Sequence, residues 1–211
     1  MNFQAHAETA WQTTLKFLGP VILLTLAQLV VSTFSLGILA PVTMAGYMQS
    51  LLLALRHGRE PELKDLFSEM RLFFPLIGFG LLVMIALTIG FTILILPGIL
   101  MTIGLVFGTL YMAPLMTDQK LGLMDALKGS WEMATRQPWT DQIIVTVLYL
   151  ALVSLGGTVV VAILFTQPLA TILILSVYEE RLRRRRTTST PPAPPAPPIS
   201  PMPPIPPAPP V

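Results

Sequence analysis

Residues 72–117 read LFFPLIGFGLLVMIALTIGFTILILPGILMTIGLVFGTLYMAPLMT, 46 residues without one Asp, Glu, Lys or Arg. A helix that crosses the hydrocarbon layer needs roughly 20 apolar residues. This stretch is too long for one crossing and long enough for two, and Pro97-Gly98 punctuates its middle, as such pairs do at turns. It reads as a helical hairpin. The pattern occurs twice more: 17–55 is uncharged over 39 residues and broken between Gly37 and Pro41, and 142–178 is uncharged over 37 and broken at Gly156-Gly157. The expectation is an all-α fold: three hairpins forming a six-helix transmembrane bundle. The helices fall near 18–36, 39–55, 75–95, 98–117, 139–156 and 159–179 of a membrane domain covering 1–186.

Composition agrees. Only 11% of the 211 residues are charged, 53% are hydrophobic, and the mean hydropathy is +0.71. A water-facing globule carries about 25% charged residues, and a disordered chain needs low hydrophobicity; both are excluded. There is no cysteine, so disulfides, thiolate metal sites and a cysteine nucleophile are excluded too.

The charges fall in four segments: Glu8 with Lys16, Arg56–Arg71, Asp118–Asp141 and Glu179–Arg186. Six crossings put all four segments and both termini on one side. Because every Lys and Arg lies there, the positive-inside rule makes that side cytoplasmic. The hairpin tips carry no charge, so a re-entrant hairpin is the rival geometry, with 142–178 the shortest of the three. Glu8 stands where a cleavable leader would be basic, so the first apolar helix is expected to act as an uncleaved anchor.

Proline divides the chain. Of 21 prolines, 13 lie in the last 21 residues. The segment 187–211 is expected to be a disordered, proline-rich tail whose last 21 residues have polyproline II character, reach on the order of 65 Å and offer PxxP motifs to a protein partner. Of the others, Pro20, Pro75 and Pro138 fall at helix starts, where the missing N–H costs nothing. Pro41, Pro97, Gly98, Gly156 and Gly157 mark hairpin tips. Pro114 and Pro168 interrupt apolar runs and should kink them. Before the hairpins, 2–16, 60–74 and 119–137 carry apolar residues at helical spacing, as juxtamembrane amphipathic helices do. An offset of 63 aligns Ser68, Glu69, Met70 and Pro75 with Trp131, Glu132, Met133 and Pro138, which suggests a repeated unit.

Chemistry-bearing residues are scarce. No Asp, Glu, Lys, Arg or His lies inside an apolar stretch, where proton relays and ion pathways need one. His6 and His57 have no metal-ligand spacing, so neither metal nor cofactor is expected. The carboxylates alternate with Lys and Arg, as on a solvated mixed-sign face. Gln28, Gln49 and Gln167 are expected to hydrogen-bond between helices, and Gly104 with Gly108 to let two helix backbones approach. Arg181, Arg183, Arg184, Arg185 and Arg186 form a topological anchor and a weak site for anionic lipid headgroups. Without interleaved aromatics the run makes no nucleic-acid footprint.

The order and spacing of Arg56–Phe67 (RHGREPELKDLF), Phe74-Pro75, Leu96-Pro97-Gly98, Pro114, Asp118, Leu121-Gly122, Asp125-Ala126-Leu127 and Ser130 carry a resemblance to a group of bacterial multi-pass membrane proteins. The group includes the membrane domain fused to some glycerophosphodiester phosphodiesterases and the YciC-like inner-membrane proteins. The resemblance covers about 1–182. It implies an inner-membrane topology and singles out Asp118 and Asp125 as family-motif carboxylates, but the phosphodiesterase is a separate domain with no counterpart here. The expected role is non-enzymatic, a structural, scaffolding or membrane-organising module in contact with membrane lipids. The alternative is a transporter or permease subunit for a neutral or lipidic solute. An enzyme acting on headgroups through Asp118 or Asp125 is a third.

Overall fold

The computed structural model describes residues 3–93, 95–136, 139–158 and 160–189, and over them the chain is all-helical. The elements run α1 (Phe3–Lys16), α2 (Leu18–Phe34), α3 (Ala40–His57), two 3₁₀ turns (Leu63–Phe67 and Met70–Leu72), α4 (Phe73–Ile93), α5 (Ile95–Thr109), α6 (Met112–Asp118), α7 (Leu123–Arg136), α8 (Trp139–Thr158) and α9 (Val160–Ser189).

The prolines sit where helices begin. Pro20, Pro41, Pro75, Pro97 and Pro114 each occupy the second or third position of a helix, in the turn whose N–H groups have no intrahelical partner. The first hairpin reverses at Leu36 (φ 52°) and Gly37 (φ 82°). In the second, Pro97 and Gly98 are helical within α5, and residue 94, between α4 and α5, lies outside the described residues. Gly156 and Gly157 are helical within α8, and residue 159 lies outside the described residues. Pro168 lies inside α9, which continues past it. Pro138 and residues 190–211 lie outside the described residues.

Three segments are long and apolar enough to cross a membrane: Leu63–Thr92, Ile95–Asp118 and Ala162–Arg186. Two bent pairs, α1 with α2 at 90° and α7 with α8 at 113°, raise the number to five if each is one span. α3 belongs to neither set. Gln49, Ser50, Arg56 and His57 lower its hydropathy, so six crossings do not follow from length and composition.

α9 is the axis. Residues 170–178 are buried on every side, as in a helix at the centre of a bundle, and α1, α2, α3 and α8 all pack on it. The α4–α5 hairpin stands at the edge, closed tightly on itself: a Cβ on Gly98 would lie 2.5 Å from the Phe91 ring. Leu81, Leu82, Met84, Ile85 and Ile89 of α4 are exposed, which in water would be a large unfavourable patch and in lipid is not.

Two expectations need correction. Residues 60–74 do not form an amphipathic α-helix. Asp65 is drawn inward by Ser50 and Arg59 and closes a capping box with Glu62, tightening the chain into 3₁₀ turns. Residues 128–136, which the offset aligns with 65–73, belong instead to α7, so over these residues the repeat does not extend to local structure. Gly104 and Gly108 do not seat a neighbouring helix backbone: Gly104 faces open space, and Gly108 is covered by the Trp131 ring at 2.8 Å from an added Cβ. The close backbone approach occurs at Gly46, where the turn carbonyls of Asp65 and Leu66 would lie 2.4 and 2.5 Å from a Cβ.

Candidate functional site

The four charged segments are tied together at one end of the bundle. Arg56 closes α3, Asp118 closes α6, and Glu179 lies on α9. Arg56 donates Nη1 and Nη2 to the two oxygens of Asp118 (Nη2 at 2.8 Å), and Nε to Glu179 at 2.5 Å with Nη2 paired to the same oxygen. The Tyr178 hydroxyl donates to Asp118 Oδ2 at 3.0 Å. The three charges are 25%, 13% and 18% exposed, which makes this a partly desolvated knot and not the solvated mixed-sign face the alternation suggested. The hydrogen bond to Asp118 raises the Arg56 pKa, burial opposes, and Glu179 adds to the rise. A guanidinium that grips one carboxylate in a two-pronged fork is the strong form of this contact.

A second tie sits beside it. His6 of α1 meets Ser176 Oγ through Nδ1 at 3.1 Å and Glu180 Oε2 through Nε2 at 2.6 Å. A third binds the 3₁₀ turn to α3: Asp65 accepts from Ser50 at 2.7 Å and from Arg59 at 2.7 and 2.8 Å. Arg71 donates to the Met116 carbonyl at 2.8 Å.

The arginine run does not behave as one group. It is helical, continuing α9, with an Arg184–Glu180 pair one turn apart of the kind that supports helices. Arg183, Arg184 and Arg186 are exposed, whereas Arg185 reaches Glu132 at 3.3 Å. Arg181 is 1% exposed. Its Nη1 donates to the Met133 carbonyl at 2.5 Å, its plane lies 4.8 Å from the Tyr111 ring centre, and its Nε and Nη2 have no partner. Met133 is in the last turn of α7, whose carbonyls carry the negative end of the helix dipole. Arg181 therefore caps α7 from within, and the sequence placed it wrongly among the headgroup-facing residues.

Ser130 fills the break between α5 and α6. Its hydroxyl donates to the Gly108 carbonyl at 2.6 Å and accepts from the Tyr111 N–H at 3.2 Å, satisfying a carbonyl and an N–H at the break between the two helices. Tyr111 donates in turn to Gln142 at 3.1 Å.

In the apolar interior, Gln167 donates to Gln28 at 2.7 Å, and Gln28 to Met44 Sδ at 3.2 Å. Gln49 stands apart, with a buried, unpaired Oε1. Asp125 is exposed in the first turn of α7 and joins none of these described contacts; His57 is likewise exposed. Among the described residues, no three His, Asp or Glu side chains are grouped to hold a metal. Trp11 and Trp131, both 57% exposed, lie on helices turned sharply from the next apolar helix, the position amphipathic rings take at a membrane surface. No family model, curated protein or solved structure matches this chain.

Proposed function

We propose that the chain is a structural membrane module, a scaffold that holds several apolar helices in a fixed arrangement through one charged end. The observation that carries this is the engagement of Arg56 by both Asp118 and Glu179. Acid–base chemistry needs two groups whose environments push their proton affinities apart; here two carboxylates share one permanent cation and brace three helices instead. In this proposal the protein sits in a bacterial inner membrane with six crossings, both termini cytoplasmic, and kinship to the multi-pass group it resembles. α1, α7 and Arg183–Arg186 meet anionic lipid, and the proline-rich tail reaches a protein partner.

A second reading, passage of a neutral or lipidic solute, draws on the buried amides of Gln28, Gln167 and Gln49. Reconstitution separates the two. Full-length protein in phosphatidylethanolamine–phosphatidylglycerol vesicles is assayed for glycerol and urea permeability by stopped-flow scattering and for scrambling of fluorescent phospholipid. A scaffold leaves all three rates at those of empty vesicles. A rise of tenfold or more that Gln28→Leu abolishes overturns the proposal in favour of transport.

A further inference from the structure

The turn between α2 and α3 is apolar, where turns that face water are rich in Gly, Asn, Asp and Ser. Phe34, Leu36 and Ile38 are 87%, 90% and 57% exposed, and no charged residue lies between Lys16 and Arg56. Its backbone is closed on itself. Every N–H from Ser35 to Ala40 donates locally: Ser35 to the Val31 carbonyl, Leu36 to Thr33, Gly37 to Ser32, Ile38 to Ser35 and Ala40 to Gly37, at 2.7–3.1 Å, and Leu39 to the Ser35 hydroxyl at 3.2 Å. The Leu36 and Gly37 bonds are the pair that closes a helix on a left-handed residue, a position usually taken by glycine and sometimes by asparagine. Here a leucine takes it, at φ 52°. Leucine is strained in that conformation, and in water its exposed side chain contributes nothing against the strain. Among acyl chains the same side chain offsets it, and a turn with these N–H groups already bonded tolerates a place where water is scarce.

Length points to the same medium. α2 has 17 residues and α3 has 18, about 26 and 27 Å at a rise of about 1.5 Å per residue. The hydrocarbon layer is roughly 30 Å thick. Arg56, in the last turn of α3, is held at the charged end by Asp118 and Glu179. A hairpin fixed there, at the near boundary, brings its turn to a level several ångströms short of the usual far one.

We propose that this turn is a lipid anchor in the far leaflet. Phe34, Leu36 and Ile38 insert among the acyl chains, the turn backbone lies at the headgroup level, and the leaflet is drawn inward to meet the short hairpin. Phospholipid is the occupant because the patch carries no charge and its Thr33 and Ser35 hydroxyls are turned back onto carbonyls of α2, which leaves a soluble partner little to orient on. This specifies one way in which the module proposed above organises a membrane, and it rests on the full crossing of α2 and α3.

The absence of cysteine makes the test direct. A single spin label at Leu36→Cys reports its medium in full-length protein in phosphatidylethanolamine–phosphatidylglycerol vesicles. Collisions with oxygen, which concentrates in acyl chains, are compared with collisions with a water-soluble nickel chelate. Hydrocarbon depletes a polar chelate by about tenfold or more, so the oxygen-to-nickel ratio should be about tenfold higher at Leu36→Cys than at Ser68→Cys beside the 3₁₀ turns. Equal ratios, which mean water, or a Leu36→Cys label shielded from both reagents, which means a protein partner or a second copy, overturn the proposal. Leu36→Asn separates the two media by sign, since asparagine also accepts the left-handed position. In water, relief of strain alone raises the folding constant in bicelles about fivefold. Among acyl chains the added amide lowers it by about tenfold net, and an unchanged or raised constant refutes the anchor. Failure of the crossing reads out differently: an impermeant maleimide then leaves Ser35→Cys unlabelled in intact spheroplasts, whatever the Leu36→Cys ratio, and the far-leaflet assignment falls with it.

Discussion

Gly46 gives the most decisive perturbation of this packing. In Gly46→Ala the added methyl would lie 2.4 Å from the Asp65 carbonyl oxygen, 2.5 Å from that of Leu66 and 2.7 Å from the Leu66 carbonyl carbon. These are backbone atoms, so no side-chain rotation relieves them. Nor can the turn retreat alone, because the Asp65 carboxylate is held by Ser50 and Arg59 and by the Glu62 N–H at 3.2 Å. Overpacking of this kind costs about 1–3 kcal/mol. Drawing Asp65 away from Ser50 weakens a hydrogen bond to a charged group, about 1.5 kcal/mol. Alanine returns up to about 1 kcal/mol in helix propensity. The net expectation is a loss of about 2–3 kcal/mol. Gly104→Ala is the control: nothing lies within 4 Å of its added methyl, so only the propensity gain of about 0.5–1 kcal/mol remains. Unfolding by SDS titration in bicelles, followed by tryptophan fluorescence, measures both. A Gly46→Ala protein within about 0.5 kcal/mol of the parent, or a Gly104→Ala protein that loses as much, would show that α3 does not press on the turn as described; the error expected on such sums is smaller than this contrast.

Arg56→Met and Arg181→Met should separate in the same assay. The first strands Asp118 and Glu179 without their cation and should cost about 2–3 kcal/mol; the second removes a guanidinium with two unpaired nitrogens and one carbonyl contact and should fall within about 1 kcal/mol of neutral, so equal losses would refute the distinction. For topology, an impermeant maleimide applied to spheroplasts should label Ser35→Cys and Thr92→Cys at the hairpin tips, and Ser68→Cys only after lysis; labelling of Ser68→Cys in intact spheroplasts would overturn the sidedness.

Hydropathy made the helical elements legible because each begins and ends where a physical signal does. Pro20, Pro41 and Pro75 open helices, and the uncharged stretches bound them. What periodicity could not supply was the effect of one long-range contact on local conformation. The spacing of Leu63, Leu66, Met70 and Phe74 suits an α-helix, but Asp65 is worth more paired with Ser50 and Arg59 than exposed on such a helix, and the turn tightens to reach them. Arg181 was illegible for a related reason: within an arginine run nothing local marks which member faces the bundle, and that depends on where the last turn of α7 ends.

The charged knot is a different case, since its signal was in the sequence and lay in position, not composition. Arg56, Asp118 and Glu179 are the first charged residues after the three apolar stretches 17–55, 72–117 and 142–178. If each stretch is a hairpin of similar reach, its returning helix must deliver that residue to a common level, and a common level in a bundle is contact distance. One cation between two anions at three equivalent places then gives each carboxylate a partner and engages all three guanidinium nitrogens. An arginine placed between two carboxylates at this level leaves neither of them free. The same geometry also explains why α3 can be less apolar than α2 and α8: Ser50 and Arg56 are each satisfied by another segment, so its polar cost is offset across the bundle and not within the helix itself.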